Sequence, residues 1–371
     1  MRIRDSKHKK ANRKISEKRL RSQRGGGKKF SGTRKYPDKK SRLKSELKVI
    51  APQQIDLYKP KVHTKTMAFM INLEKKAVEA NASGATLRIC FRNTSLITAA
   101  AGIVLLSTTE VLLRRFPTLK VKITRPPNTR SKNETERTNV VHAVLERIGF
   151  YRILRLGPFK TKSFPHVDNW YIGSSDQVEG ESLSDAIKIT GDLGVKTKEL
   201  YRSGIEAISN AVEHAYSNLI PTRKLFPVKK WWIFVGIINS QLIILVCDRG
   251  HGIPNTLPYT QSESLLKQIT QTLKNFYKDK KNQSPVSGDA FQIHASTLVK
   301  ETRTKMTHRG KGGQDIKSFV TAHDGAQLII FSNKGTYQYK GKGSKYVELG
   351  YNNHHSIGGT VIQWSIPIKP E

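Results

Sequence analysis

Glu206-Ala-Ile-Ser-Asn210-Ala-Val-Glu213-His214 is the stretch on which the reading of this chain turns. Glu206 and Asn210 are four residues apart, and Glu213 and His214 come at seven and eight, so on a helix they share one face. Ile205, Ile208 and Val212 fall toward the other side, where they can pack on a sheet. A carboxylate one turn from an amide oxygen suits a hard cation and a water held near phosphates. The same residues also make an ordinary polar surface helix, so the downstream sequence has to decide between the two.

Three further elements come after that helix. Ile243-Ile-Leu-Val-Cys247-Asp248-Arg249-Gly250-His251-Gly252-Ile253-Pro254 reads as a buried strand ending in an Asp and two alternating glycines. An Asp at a strand end can accept a hydrogen bond from an exocyclic base amine, and the glycines let the backbone bend past a ligand. A tight turn after a strand favours the same residues. Arg309-Gly310-Lys311-Gly312-Gly313 runs into a helix predicted over 314–322, which makes a glycine-rich anion site with a cation beside it, or a flexible hinge. It is not a P-loop, whose Gly-x-x-x-x-Gly-Lys-Ser/Thr spacing is absent. Gly358-Gly359-Thr360 opens the last strand and offers a hydroxyl to a phosphate.

Taken in this order, the four elements resemble the N box and the three glycine boxes of the GHKL superfamily, which includes DNA gyrase, histidine kinases and anti-sigma-factor serine kinases. The match covers about 196–368, and residues 206–216 are most similar to the bacterial kinase-like branch. The resemblance implies a Bergerat fold that binds ATP with Mg²⁺. Carried over by position, it implies that Glu206 polarises the attacking water or hydroxyl, Asn210 binds Mg²⁺ and Asp248 contacts the adenine amine. It implies that Gly250 and Gly252 shape the base pocket. Arg309, Gly310, Lys311, Gly312 and Gly313 would wrap the phosphates, and Thr360 would support the Asp248 region. Two departures bear on the lid: the insert between Pro254 and Arg309 is long, and the loop at 309–313 is short and cationic.

Outward from this core, the expected fold class is α+β. Residues 196–371 are expected to form a sandwich with helices on one face of a mixed sheet. Its predicted elements are a helix over 196–219, strands at 231–238 and 242–247, a lid over about 255–307, and strands at 327–331, 336–339, 345–349 and 360–366. Upstream, 48–160 reads as a smaller α/β domain. It has helices over 67–80, 99–116 and 138–148, and strands over 85–91, 119–123 and 151–156. The stretch Thr94-Ser-Leu-Ile-Thr98-Ala-Ala-Ala-Gly102 after a strand gives this domain a STAS-like cast. Ser95 and Thr98 are its candidate phosphoacceptors, although a helix cap explains them as well. A scaffold or dimerisation role follows for this domain. Residues 161–195 read as an irregular connector.

The chain of 371 residues carries 65 Lys+Arg against 29 Asp+Glu, a formal charge of +36, which draws polyanions. Residues 1–48 hold 20 of those cations and 4 of the acids, so the first 47 residues are expected to be a disordered basic tail. Its few aromatics make phosphate contacts, rather than base stacking, the expected mode of RNA or DNA binding. Cys90 and Cys247 both lie in apolar runs, so buried reduced thiols and a cytoplasmic location are expected. No apolar run has the length of a membrane span. Three functions remain open: an ATP-hydrolysing switch acting on a nucleic-acid or protein partner, a protein serine/threonine kinase, and a nucleic-acid-binding module with a non-catalytic nucleotide pocket.

Overall fold

The computed structural model describes residues 45–127, 139–190, 197–221, 226–278, 287–299, 312–342 and 345–368. Residues 45–371 form one compact unit. The basic tail, residues 1–44, lies outside the described residues, and the first strand already starts at Glu46.

The N-terminal layer holds three parallel strands in the order β1 (Glu46–Ile50), β3 (Thr86–Cys90), β5 (Lys120–Thr124), with a short parallel pair β2 (Gln54–Ile55) and β4 (Leu96–Ile97) beside them. Helix α1 (Pro60–Ser83) starts on a proline, whose missing N–H has no helical partner to lose there. It stops at Gly84, where a left-handed residue turns the chain. Helix α2 (Ala99–Arg115) is buried around most of its circumference over 99–109. Asn139 caps α3 (Val140–Arg147) by accepting a hydrogen bond from the Val141 N–H at 2.9 Å. The strand expected over 151–156 is instead a helical turn, α4 (Phe150–Ile153). Phe150 and Tyr151 are both buried, and Leu154 and Leu156 N–H groups return to the Tyr151 carbonyl, so local bonds satisfy the backbone there.

The stretch read as a connector is ordered into α5 (Pro165–Asp168), β6 (Tyr171–Ser175) and α6 (Glu181–Thr190). Strand β6 is the edge of a seven-stranded sheet with β7 (Trp231–Ile238), β8 (Gln241–Asp248), β9 (Gln327–Ser332), β10 (Gly335–Lys342), β11 (Lys345–Asn352) and β12 (Thr360–Pro367), in the order β11-β10-β9-β12-β8-β7-β6. The sheet is not the mixed one expected from the sequence: every neighbouring pair is antiparallel. Hairpins explain most of this. Asn239 and Ser240, both at positive φ, make a two-residue turn between β7 and β8 whose twist matches the strands. The last strand then inserts between β8 and β9, antiparallel to both.

Both faces of the sheet are covered. Trp231, Ile233, Ile244, Val246 and Trp364 face a core shared with helices α7 (Thr197–Glu213) and α11 (Gly312–Thr321). The alternate residues Trp232, Phe234, Leu245, Cys247 and Phe331 face α2 and the N-terminal layer, in one core that runs on to Val49 and Leu73. Polar contacts sit at the edge of this join. The Trp232 indole donates to Glu110 of α2 at 2.9 Å, and Lys230 pairs with the same carboxylate at 2.7 Å. Both cysteines are free and buried, and burial pushes the Cys247 thiol up to about 12. Among the described residues no helix is long and apolar enough to cross a membrane.

Because the two layers share one core, they should unfold together. Phe331, fully buried and edge-on to Tyr58, tests this. Replacing it with alanine should cost about 3–5 kcal/mol in denaturant unfolding while keeping a single transition. Two separated transitions in the wild-type chain would contradict a shared core.

Candidate functional site

Helix α7 is held against the sheet by Leu200, Ala207, Ile208 and Ala211, with Ile205 and Val212 partly buried beside them. Gly204 admits the neighbouring helix: a Cβ there would sit 2.8 Å from the Leu183 side chain. This packing leaves Glu206 and Asn210 half-buried one turn apart, and the Asn210 amide donates to the Glu206 carboxylate at 3.2 Å. The helix ends at Glu213, short of the expected 219, because the Ala215 carbonyl is taken by the His251 N–H at 2.7 Å.

That contact belongs to the loop after β8. Asp248 is buried at the strand end, opposite Thr360 in β12, and accepts the Gly250 N–H at 2.8 Å. Gly250 has a specific reason to be glycine: a Cβ would lie 2.1 Å from the Ala215 carbonyl oxygen. Its role is thus to let the loop press against the end of α7. The Tyr216 hydroxyl joins the same corner, donating to the Lys230 carbonyl at 2.6 Å and accepting the Arg249 N–H at 3.0 Å. Burial, followed by the charge of Asp248, pushes that phenol far above its ordinary range. Gly359 presses on the other side, where a Cβ would meet the Asp248 carbonyl at 2.3 Å.

Beneath the loop lies a buried pair of hydroxyls. Ser332 and Thr360 are 3.0 Å apart, and the Ser332 oxygen also accepts the Ile253 N–H at 2.8 Å. Asn333 extends the brace by donating to the His251 carbonyl at 2.9 Å. Gly252, at positive φ, then turns the chain into the lid. The lid comprises α8 (Ile253–Thr260), α9 (Glu263–Lys278) and α10 (Asp289–Leu298), packed around Leu257, Leu273, Tyr277 and Phe291.

A cavity of about 110 Å³, open to solvent, lies between α7, the ends of β8 and β12, and the lid. Glu206, Asn210, Asp248, Gly252 and Thr360 all line it, so five of the expected site residues share one cleft. Gly250 packs behind it against α7. Gly312 and Gly313 open α11, whose Ile316 also lines the cleft. Arg309, Gly310 and Lys311 lie outside the described residues. The lid supplies Thr256, Thr260, Gln261, Ser296 and Thr297, polar groups to which no motif in the sequence points. His214 lines the cleft as well, and burial draws its imidazole below the ordinary value.

A second buried cluster, equally hidden in the sequence, ties the lid down. His294 of α10 pairs with Glu348 of β11 and meets the Tyr277 hydroxyl, while Lys317 of α11 reaches the other Glu348 oxygen at 3.0 Å. These residues are far apart in sequence and follow no motif spacing. Burial would raise the Glu348 carboxyl, but the His294 hydrogen bond and the Lys317 charge overcome it and hold it at about 2.

No protein-family model matches the chain, and no curated protein sequence matches it either.

The Glu348 cluster carries a pH signature. A carboxyl held below its unfolded value contributes stability that is complete above the unfolded value, near 4.5, and is lost as pH falls toward 2. The loss should reach about 3 kcal/mol between pH 5 and pH 2, as judged from the size of the shift. Glu348→Gln should flatten that part of a stability–pH curve; an unchanged acid limb would exclude the cluster as its source.

Proposed function

We propose that this chain is a Mg²⁺-dependent ATP-binding protein of the GHKL type that hydrolyses ATP to change the state of its lid. The observation that carries this reading is the convergence of Glu206, Asn210, Asp248 and Thr360, from three elements far apart in sequence, on one cleft under a helical lid. In a Bergerat-type arrangement Asp248 accepts the exocyclic amine of adenine. The Gly250 N–H and the Ser332–Thr360 pair support it, by holding the loop and the strand end that fix the carboxylate. The cleft as it stands is smaller than the roughly 300–1,000 Å³ of ordinary ligand pockets. In this reading nucleotide enters by a shift of the lid, which is what a switch does.

Asn210 donates through nitrogen to Glu206, which leaves its amide oxygen as the acceptor for a hard cation. Among the described residues no group of three His, Cys, Asp or Glu side chains could hold a metal ion. Mg²⁺ would thus take Asn210 as a protein ligand and find its remaining oxygens on phosphates and water, where it neutralises phosphate charge. Glu206, one turn away, is placed to orient a water and accept its proton.

One observation favours the switch over a kinase that modifies its own N-terminal layer. Ser95 and Thr98 line a different cavity on the opposite face of the seven-stranded sheet from the cleft. A serine/threonine kinase reading would therefore need a substrate on another molecule. The N-terminal layer, buried on the sheet through α2, fits a scaffold that senses the sheet. The +36 charge supports an RNA, DNA or other polyanionic partner.

Incubation with radiolabelled ATP and Mg²⁺ tests the reading. Glu206→Ala should lose at least about a hundredfold in phosphate release while still binding nucleotide. Asp248→Asn should weaken ATP binding about tenfold or more, because its amide presents a donor toward the base amine. No nucleotide binding by a folded wild-type chain would defeat the proposal, and label retained on protein would move it to phosphotransfer.

Deleting residues 1–44 should abolish most RNA and DNA binding in low salt and leave ATP affinity unchanged. Equal retention of nucleic acid by the shortened chain would rule out the tail as the binding element.

A further inference from the structure

The parallel sheet β1-β3-β5 packs into the core through one face. Side chains alternate along each strand, and Val49, Leu87 and Ile89, with Leu47, Val121 and Ile123 beside them, belong to the shared core. The other set points away from it. Lys48, Arg88 and Lys122 are register partners, so they form one row across the three strands. Lys120 lies two residues before Lys122 on the same face, and both are exposed, as is Lys48. Ile50, at the end of β1, is 59% exposed. Parallel sheets are ordinarily buried on both faces, so an open one invites a cover from another molecule.

The charge of this face selects the cover. Its three strands carry four cations, Lys48, Arg88, Lys120 and Lys122, and a single acid, Glu46. Glu46 is already engaged: Arg88 donates to both of its oxygens, one of them at 2.9 Å. That hydrogen bond, then the charges of Arg88, Lys122 and Lys48, hold its carboxyl below the usual range. One carboxylate leaves the face strongly positive. At the edge of β5 the row continues into a groove of about 260 Å³ lined by Arg88, Lys122 and Arg125, with no acid among the described lining residues. The Arg125 guanidinium there lies over the Phe159 ring at 4.5 Å. The cation-rich N-terminal sequence leads directly into β1, so it shares the sign of the face and cannot neutralise it.

The residue types narrow the polyanion further. Strands β1, β3 and β5 contain no aromatic residue. Surfaces that bind single strands stack bases on aromatic rings, whereas a duplex keeps its bases stacked inside and presents phosphates, which need only cations. From Lys48 to Lys122 the row crosses two interstrand spacings, about 10 Å, which matches about three phosphates of rise along one strand of a duplex. We infer that the open face of β1-β3-β5 is a docking surface for the phosphate backbone of a nucleic-acid duplex, with Lys48 and Lys122 as phosphate contacts. This deepens the polyanion-partner reading and rests on it, adding a folded surface to the tail, and it is independent of the nucleotide cleft.

The test is the affinity of the full chain for a short mixed-sequence DNA duplex, titrated at several salt concentrations. Lys48→Gln with Lys122→Gln should weaken binding at least about tenfold and reduce the slope of log affinity against log salt by about 2. Lys267→Gln with Lys274→Gln, which removes the same charge from the lid helix α9, should change affinity less than about twofold and leave the slope alone. Glu46→Gln removes the one acid and releases Arg88, so it should tighten binding about threefold, a gain that misfolding cannot produce. The lysine pair should matter less for a single strand of the same sequence and for vesicles containing phosphatidylserine. Equal losses from the two lysine pairs, or a loss as large on the single strand or the vesicles, would overturn the inference. Loss of duplex binding on deleting residues 1–44, with the Lys48 and Lys122 variant unaffected, would overturn it while leaving the tail reading intact. A full chain that binds no duplex at all would overturn both.

Discussion

The two-sided burial of the central strands governs the rest of this structure. In β7 and β8 successive side chains point to opposite faces, and both faces are dry: Trp231 and Ile233 toward the helices, Trp232 and Phe234 toward the N-terminal layer. A strand in that setting cannot slip by one residue without exchanging two different cores, so its register is fixed. Fixing the register of β8 and β12 fixes where they end. It sets Asp248 opposite Thr360 at the rim of the sheet, where a loop can be held beside a helix. The cleft is thus a consequence of core packing rather than a separate construction.

The loops at that rim are pinned by contacts that leave no room for a side chain. Gly250 lies against the carbonyl of Ala215, and Gly359 against that of Asp248. These are backbone-to-backbone approaches, where a Cβ has nothing flexible to displace. They bind the end of α7, the end of β8 and the start of β12 into one corner, with Tyr216, Ser332 and Asn333 satisfying the polar groups that the close approach buries. Such a corner is stiff, and its stiffness fixes the orientation of the Asp248 carboxylate.

Much of this is legible in the sequence, and the parts that are not share a cause. The helix bearing Glu206 and Asn210 is readable because its polar face and apolar face alternate with helical period. The strands at 231–238 and 242–247 are readable from their apolar runs, and the unbroken length of those runs is what two covered faces require. What stays hidden in the sequence is non-local. Strand β6 is five residues, Tyr-Ile-Gly-Ser-Ser, whose composition suggests a loop; it is a strand because β7 offers it an edge. Residues 150–153 contain good strand formers but close on themselves after Gly149. His294, Lys317 and Glu348 meet only because α10, α11 and β11 are folded together. Asp248, Glu206 and Thr360 stand out one by one as motif members, whereas their common cleft is a fact of the fold alone.

The lid illustrates how such non-local contacts divide a structure into parts of different strength. Its helices carry a small core of their own around Leu273 and Phe291, distinct from the two cores of the sheet. Their attachment to the body is both apolar and polar: Ile293 of α10 is fully buried in the sheet core with Tyr337, the Glu348 cluster holds one side, and Asn352, which accepts the Ala290 N–H at 2.9 Å, holds the other. Positive-φ glycines precede two of its helices, Gly252 at the entry to α8 and Gly288 at the entry to α10. Hydrophobic cores resist partial opening because every layer loses contact at once, while a polar latch exchanges its partners for water at modest net cost when it opens. The lid is therefore joined to the body by a mixed attachment centred on α10, in which the buried Ile293 and the polar latch act together. The cleft lies between them, bordered by α7, the ends of β8 and β12, and the lid.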